Sequence, residues 1–419
     1  MAVTTRRFAR GLRDASKRWG LGLLGVLGLL AMLVVAPPLA PSAEGSVLPS
    51  LIAYSYGNNQ GGIAVVPEGE GVLETSIYPS PADGDIGFPQ WSPNGLVLAF
   101  HVYAPYHGNK IVLTTRSGTV IAAYPVNGGY GLDWSPAGTQ IAYLCDEGKL
   151  LTTPGPVAPV VNGFWNVCVL NLISSVSRVI ASSTLAEAIP KSGSETRLSW
   201  SPDDTYIVVS GEHDIPPNTR SCSGLACGIP DIDRVTVATG EMSPLGYECS
   251  FNPAYSPNGA EIAFTNNCPS KNGIPGGIDI MSASGTDVRN VVPADDEADE
   301  ADWSPDGKQL VFVTQVPASA NGFTNVFTTS VKGGPLTQAT NTNSNDQMPS
   351  WGQPLTVCTV PNLKGQTLAA AKDLVPLAGC VLGTVSGPKK NNSTLKVISQ
   401  TPAPGTNVPT GTKVDVQLQ

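Results

Sequence analysis

The chain has 419 residues, of which only 14% are charged, and it contains 45 glycines and 37 prolines. This composition is typical of turn-rich β structure and excludes a coiled coil or a long helical bundle. The formal net charge of −9 makes nonspecific binding to nucleic acid unfavourable.

The first predicted element is an export segment at residues 1–43. Six basic residues precede an apolar run of 18 residues, Trp19 to Ala36, and small residues and prolines follow it. This is the order of a signal peptide. The run is also long enough to be an uncleaved membrane anchor, and Arg6-Arg7 leaves a twin-arginine signal open. In each case the chain beyond the segment is expected outside the cytoplasm, with this segment as its only contact with a membrane.

Six copies of a short motif recur through the middle of the chain. Each contains an aromatic residue, and the first five continue with Ser-Pro and a turn; the six aromatic residues are Trp91, Trp134, Trp200, Tyr255, Trp303 and Trp351. Their separations of 43 to 66 residues are typical of the blades of a β-propeller. In the fifth copy, Ser-Pro-Asp-Gly predicts a tight turn and Lys308–Val313 predicts a strand. We expect the aromatic rings to pack between neighbouring blades.

The two ends of the repeat region are predicted to share one blade. No strand follows the motif at Trp351, whereas Leu51–Val66 contains strands with no motif before them. Pairing of the two would close a ring of six blades without an exposed edge. The motifs resemble the TolB-type propeller family from about Leu51 to Gln353, which implies a six-bladed ring with a central channel. Asp204 departs from the family pattern because it replaces the usual glycine.

The C-terminal part has a different pattern. An amphipathic stretch from Leu368 to Ala378 predicts a helix, and strands are predicted at Lys396–Gln400 and Lys413–Leu418. Pro376 is expected to kink or shorten the helix. The order is a short strand, a helix and then a small sheet.

The segments VPNLKGQTLAAAKDL and TPAPGTNVPTGTKVDVQL resemble the opening and the close of a PASTA domain, over about Cys358 to Gln419. PASTA domains occur on extracytoplasmic parts of bacterial Ser/Thr kinases and penicillin-binding proteins. The resemblance therefore implies an envelope location and makes peptidoglycan a candidate ligand, with a plain spacer as the alternative. The predicted fold is an all-β six-bladed propeller at residues 44–356 followed by a small α+β domain at 357–419, and we expect a monomer.

All eight cysteines follow the export segment, which fits an oxidising compartment. Proximity in the sequence predicts four disulfides: Cys145–Cys168, Cys222–Cys227, Cys249–Cys268 and Cys358–Cys380. A zinc site formed by Cys222, Cys227, His213 and Asp231 is the rival interpretation, but no second pair of ligands follows it. We therefore predict no bound metal there.

No catalytic constellation is present in the sequence. There are three histidines, and neither an H-E-x-x-H nor a G-x-S-x-G motif occurs. We predict no catalytic residue and no cofactor. The segment containing His101, Tyr103, Tyr106 and His107 could be a small binding spot, or an ordinary exposed loop.

Two segments are candidates for binding a ligand or a partner. The first is acidic and lies just before Trp303; its carboxylates are Asp295, Asp296, Glu297, Asp299, Glu300 and Asp302. At the mouth of the channel these would attract a cation or a basic partner, and a solvated acidic loop is the alternative. The second is the long connection Glu212–Asp231, with His213, Asp214 and Arg220, which a Cys222–Cys227 disulfide would preorganise.

The sequence thus predicts an exported, non-catalytic binding or scaffold protein of the bacterial cell envelope, whose partner protein is unknown. One alternative is a hydrolase or lyase that acts on wall or extracellular polysaccharide at the channel, which carboxylates facing the channel would support. The other alternative is a membrane-anchored sensory ectodomain.

Overall fold

The computed structural model describes most of the chain beyond the predicted export segment. The described residues are 50–57, 61–68, 75–81, 84–103, 108–146, 164–182, 187–190, 197–213, 229–246, 250–266, 277–293, 297–314, 323–355, 357–378, 380–388 and 395–419. Within these ranges no helix is long and apolar enough to cross a membrane. Residues 1–43 lie outside them.

The described residues before 356 form six antiparallel blades of four strands each, and one further strand. The strands of the first half are β1 (Leu51–Tyr56), β2 (Gly62–Pro67), β3 (Thr75–Pro79), β4 (Asp85–Trp91), β5 (Val97–Tyr103), β6 (Lys110–Thr115), β7 (Val120–Pro125), β8 (Gly128–Trp134), β9 (Gln140–Cys145), β10 (Phe164–Asn171), β11 (Val176–Ala181) and β12 (Glu187–Pro190). Those of the second half are β13 (Leu198–Trp200), β14 (Tyr206–His213), β15 (Ile229–Thr236), β16 (Met242–Pro244), β17 (Ser250–Tyr255), β18 (Glu261–Asn266), β19 (Ile278–Ser282), β20 (Arg289–Val292), β21 (Asp299–Trp303), β22 (Gln309–Thr314), β23 (Asn325–Ser330), β24 (Thr337–Gln338) and β25 (Asp346–Trp351).

The blades follow one another around a closed ring. Blades 1 to 5 begin with β4, β8, β13, β17 and β21, and blade 6 consists of β25, β1, β2 and β3. The further strand, β12, pairs with β10 of blade 2 and with β14 of blade 3, so that these two blades form one nine-stranded sheet. In blade 6, Ile52 lies opposite Trp351 and Ala53 opposite Ser350, so the predicted closure by both ends of the repeat region is confirmed. Each inner strand contacts the inner strands of its two neighbours, including β25 with β4. The inner strands therefore surround a central channel.

The Ser-Pro turns join the first and second strands of the blades. In blade 5, the Gly307 N–H donates to the Ser304 carbonyl at 2.8 Å, and the Gln309 N–H donates to Ser304 Oγ at 2.9 Å. Gly307 has φ of 68°, a left-handed conformation that glycine adopts without strain. Asp204 occupies the same position in blade 3 with φ of 64°, so this departure from the motif keeps the turn geometry.

The aromatic residue of the motif packs between blades, as predicted. Trp303 belongs to a core formed by blades 4 and 5, and Trp351 to one formed by blades 5 and 6. Tyr255, the one tyrosine in the series, packs with Val208 and Ile232 of the preceding blade. Removal of these rings from water stabilises every junction for which a core is described.

The C-terminal domain has its own core. Its elements are β26 (Val357–Thr359), the helix α1 (Leu368–Leu377), β27 (Val381–Ser386), β28 (Val397–Thr401), β29 (Asn407–Pro409) and β30 (Lys413–Leu418). The main sheet has the order β27–β30–β28, and β26 pairs with β29. The predicted helix and both predicted strands are confirmed, and the helix ends one residue after Pro376. The strand β27 was not predicted, because its short sequence contains a glycine and carries little apolar alternation.

Candidate functional site

A β-bulge bends the inner strands at one recurring position, three residues before the aromatic residue of the motif. Five residues at this position have positive φ: Phe88 at 54°, Gly131 at 58°, Asn252 at 50°, Glu300 at 59° and Met348 at 53°. The pairing register shifts beside each of them. Bulges re-aim side chains and often lie next to functional sites. Here the repeated bulge produces a level of the channel at which residues from different blades meet.

At this level the side chains and backbone form a connected network across the channel. Arg197 of blade 3 is buried, and its Nη1 donates to the Glu300 carbonyl of blade 5 at 3.0 Å and to the next carbonyl at 3.1 Å. Glu300 Oε2 accepts a hydrogen bond from the Met348 N–H, and the Phe88 N–H lies 3.1 Å from Met348 Sδ. Asn252 Oδ1 accepts from the Arg197 N–H at 3.1 Å. The network ties blades 1, 3, 4, 5 and 6 together.

A second set of contacts links each blade to the next, one residue before the motif aromatic. Four junctions use a side chain that accepts a hydrogen bond from the backbone N–H of the next motif aromatic: Asp133 to Trp200, Ser199 to Tyr255, Asp302 to Trp351 and Ser350 to Trp91. The other two use an indole N–H that donates to a backbone carbonyl: Trp134 to Gln90 and Trp303 to Ala254. All six junctions of the ring therefore carry a polar link.

All of these linking residues except Trp303 line a channel cavity of about 280 Å³. The prolines of four Ser-Pro turns also line it, so the cavity lies toward the face of the propeller that carries those turns. Asp133 and Asp302 belong to blades 2 and 5, which are opposite each other in a six-membered ring. Burial raises the pKa of Asp133 to about 7, the negative charge of Asp302 adds to that rise, and hydrogen bonds from the Trp200 and Trp134 N–H groups and from Ser199 oppose it.

The hydrogen bonds of these two carboxylates define what they can do chemically. Asp133 accepts from the Trp134 and Trp200 N–H groups, both at 2.7 Å, with one bond on each oxygen. Asp302 does the same with Trp303 at 2.8 Å and Trp351 at 2.9 Å. A carboxylate held on both oxygens by backbone donors is fixed in orientation, which suits a structural link better than proton transfer to a substrate.

The acidic segment before Trp303 is only partly described. Asp295 and Asp296 lie outside the described residues, and Glu297 is exposed. Asp299 Oδ1 accepts from Asn252 Nδ2 at 2.9 Å and from the Glu300 N–H at 2.7 Å. Glu300 is buried in the channel network, and Asp302 joins two blades. The described carboxylates from 299 to 302 thus bond to the protein itself, and the binding of a cation or a basic partner by this segment stays a prediction.

The described part of the chain contains no group of three or more His, Cys, Asp or Glu residues arranged to hold a metal ion. Of the predicted zinc ligands, Cys222 and Cys227 lie outside the described residues, as do the candidate binding residues Asp214 and Arg220. His213 is the last residue of β14. Asp231 is buried, and its oxygens accept from the Ile232 and Gly246 N–H groups.

The long connections all leave from one face of the propeller, which we call the loop face. It lies at the N-terminal ends of the inner strands, opposite the face with the Ser-Pro turns. The connections after β9 and β14 have 18 and 15 residues, whereas no connection within a blade on the turn face has more than seven. Both ends of the Glu212–Asp231 segment reach the loop face, and so does the start of the acidic segment.

Two of the four predicted disulfides are confirmed. Cys145–Cys168 joins β9 to β10, and Cys358–Cys380 joins β26 to the segment after α1. The other two predicted pairs, Cys222–Cys227 and Cys249–Cys268, involve residues outside the described ranges.

Sequence reasoning missed the channel residues Asp133 and Arg197. The available signal was the position before the motif aromatic, which is polar in five of the six copies and Ala254 in the other. A polar residue recurring in an otherwise apolar inner strand indicates a shared contact. Arg197 has no comparable signal, because its position is occupied by six different residue types.

Comparison with known proteins assigns the C-terminal part first. Residues 359–419 match the family model described as PASTA domain. The C-terminal domain is therefore a PASTA domain. The match agrees with the helix and small sheet described above, and it confirms the resemblance seen in the sequence. None of the curated proteins matches the chain.

The propeller is similar in fold to solved TolB structures. TolB from Acinetobacter baumannii aligns with a TM-score of 0.53 and 18% identity, over 72% of this chain and 66% of that one, just under two thirds of its length. A TolB-like protein from Agrobacterium tumefaciens aligns with a TM-score of 0.46 and 16% identity, over 71% of this chain and 90% of that one. At these identities the likeness concerns the fold. The chain is an all-β six-bladed TolB-like propeller followed by a PASTA domain.

Proposed function

We propose that this protein is an exported cell-envelope binding protein, in which the propeller recognises a protein or small ligand through its loop face and the PASTA domain contacts peptidoglycan. The observation that carries the proposal is the asymmetry of the propeller. Its longest connections leave one face of a rigid ring, an arrangement that often serves recognition. The polar groups described in the channel are largely engaged in holding the blades together.

The envelope location is supported by three independent features. The disulfides Cys145–Cys168 and Cys358–Cys380 fit an oxidising compartment. The predicted export segment would take the chain there, and PASTA domains are associated with the bacterial wall. The TolB-like fold of the propeller is consistent with this location.

Sedimentation with isolated peptidoglycan tests the contact with the wall. Residues 44–419 and residues 44–355 would be mixed with wall material and, as a control for nonspecific pelleting, with cellulose. The shorter form keeps every propeller strand, and the PASTA core contains only residues from Cys358 to Leu418. We expect the longer form alone to pellet with peptidoglycan. Equal pelleting of both forms, or of neither, contradicts a wall contact by the PASTA domain.

A second candidate function is hydrolysis or elimination on a polysaccharide at the channel. The observation that favours it is the pair Asp133 and Asp302, which face one cavity from opposite blades. Its test is incubation of residues 44–419 with wall and extracellular polysaccharides, followed by detection of new reducing or unsaturated ends. If the wild-type protein forms such ends and the Asp133→Asn variant does not, the result would support catalysis at the channel over recognition alone.

A further inference from the structure

An aromatic cluster lies between blades 1 and 2 near the loop face. The Tyr130 ring lies 4.7 Å from the His101 ring and 5.1 Å from the Trp165 ring, measured between centroids. Phe88 meets the Tyr130 ring edge-on at 5.7 Å. Tyr130 and Trp165 are half-buried, and Tyr103 at the end of β5 is 38% exposed. The cluster is therefore packed on its inner side and partly open to solvent.

The strand β8 has an unusual path around Tyr130. Gly128, Gly129 and Gly131 have φ of 103°, 107° and 58°. The pairing register of β8 shifts both before and after Tyr130, whereas the described inner strands of blades 1, 4, 5 and 6 each shift once. A Cβ atom on Gly129 would lie 2.6 Å from His101 Cδ2. Glycine inside a strand costs stability and often marks a bulge or a close approach of another group. We infer that these glycines are retained because they position the Tyr130 ring.

The surroundings of Tyr130 are electron-rich and carry a negative charge. Asp85 is exposed and lies directly opposite Tyr103 in the β4–β5 pair, so the two side chains are neighbours on one face of the blade. Tyr103 shares a face of β5 with His101, whose ring contacts Tyr130. Burial is the main cause of a raised pKa of Tyr130, and electrostatic interactions with Tyr103 and Asp85 add to it.

The basic residues His101 on β5 and Lys110 on β6 do not offset this charge. His101 is on the same face of β5 as Tyr103 and is buried, and burial lowers its pKa to about 4, so the imidazole is neutral at pH 7. Lys110 pairs with Val102, whose side chain packs toward blade 6, so the lysine lies on the other face of blade 1.

The strand that carries Trp165 is held on both sides. The Cys145–Cys168 disulfide joins β10 to β9 beside it. On the other side Trp165 pairs with Ile189 of β12, and β12 continues to pair with β14 of blade 3. A site whose rings are fixed before binding loses less conformational entropy when a ligand arrives.

We propose that Asp85, Tyr103, Tyr130 and Trp165 form a binding site for a cationic group, an ammonium or a guanidinium. Aromatic faces attract cations through their quadrupole, and a neighbouring carboxylate adds a direct charge interaction. The net charge of −9 favours the approach of a cationic ligand. This inference rests on the proposed role of the loop face in recognition, and it names the chemistry of the ligand.

Titration of residues 44–419 with a lysine probe tests the proposal. The probe is the blocked peptide Ala-Ala-Lys-Ala-Ala, its neutral twin carries an acetylated lysine, and butylamine represents the free ammonium group. Saturation-transfer NMR and calorimetry would measure affinity. We expect the charged peptide to bind about tenfold or more tightly than its neutral twin. Tighter binding of the peptide than of butylamine indicates a polypeptide ligand, and equal binding indicates a small amine.

Variants locate the binding. Asp85→Asn, an exposed isosteric change, and Tyr130→Leu are each expected to weaken lysine binding about fivefold to tenfold. Asp204→Asn is the matched control, because it removes one exposed carboxylate on the turn face at a position where φ is positive and asparagine is accepted; it should leave affinity unchanged. Equal binding of the neutral twin, or unchanged affinity in Asp85→Asn, overturns the inference. Sedimentation with peptidoglycan is unaffected by that outcome, so the two proposals fail separately.

Discussion

Asp133 shows at the scale of one residue how the ring is joined. Its two oxygens accept from the N–H groups of Trp134 and Trp200, so a single side chain fixes its own strand and that of the next blade. The same carboxylate faces a cavity that the Asp302 carboxylate of the opposite blade also lines. The hydrogen bonds favour the charged form and the burial opposes it, and the burial prevails.

This balance predicts a pH dependence of stability. The pKa of Asp133 is raised from 3.8 to about 7 on folding, so the folded state keeps a proton that the unfolded state has lost between these values. The contribution of Asp133 to stability is complete below about pH 4 and is lost as pH rises through 7. Thermal unfolding of wild type and Asp133→Asn at pH 4.5 and 7.5 measures it. We expect the wild type to lose about 1–3 kcal/mol more than the variant over this range. Equal losses would contradict the assigned pKa.

The Asp204 turn offers a second test at this scale. Asp204 has φ of 64° where other copies of the motif have glycine. Glycine removes the clash of Cβ in the left-handed region but increases the entropy of the unfolded chain, so Asp204→Gly should stabilise by about 0.5 kcal/mol. Asp204→Ala should destabilise the protein, since alanine has neither the backbone freedom of glycine in the left-handed region nor a polar side chain that can form a local hydrogen bond there. Urea unfolding of the two variants beside wild type distinguishes them, and a lower midpoint for Asp204→Gly would refute the argument.

At the scale of elements, the inner strands combine two functions through their recurring bulge. The residue before the motif aromatic points to the neighbouring blade, and the residue at the bulge joins the network across the channel. Arg197 is the longest connection in this network, since it reaches from blade 3 to two carbonyl oxygens of blade 5. A buried arginine that spans the channel should stiffen the ring against shear between blades.

Removal of this connection should be costly. Arg197→Met keeps a long apolar side chain but leaves two carbonyl groups of blade 5 without that donor, which should lower the free energy of unfolding by about 1–3 kcal/mol. Arg178→Met on the exposed edge strand β11 is the matched control and should change stability by less than about 0.5 kcal/mol. Denaturant unfolding of both variants measures the difference. Equal effects would show that the link across the channel adds nothing.

At the scale of the whole molecule, the ring and its closure were predictable because the motif is local and repeats. Ser-Pro and a turn residue fix the start of the second strand in blades 1 to 5. The motif at Trp351 lacks a following strand and the strand at Leu51 lacks a preceding motif, so the two can complete one blade together. The channel was not predictable in the same way. The bulge position is occupied by six residues that share no secondary-structure propensity: Phe88, Gly131, Arg197, Asn252, Glu300 and Met348. The direction in which each side chain points depends on a register shift that only the pairing with the next strand determines. Likewise, Asp302 was expected in an open acidic segment, but its oxygens bond to the Trp303 and Trp351 N–H groups of blades 5 and 6.

Hydrogen exchange of residues 44–419, measured with and without soluble peptidoglycan fragments, tests the central claim most directly. The central claim is that the PASTA domain contacts the wall, whereas the channel of the propeller has a structural role. We predict new protection confined to residues 359–419, while the inner strands around Asp133 and Asp302 exchange as before. Protection of those inner strands by the fragments, with the PASTA domain unchanged, would contradict the account and indicate a substrate in the channel.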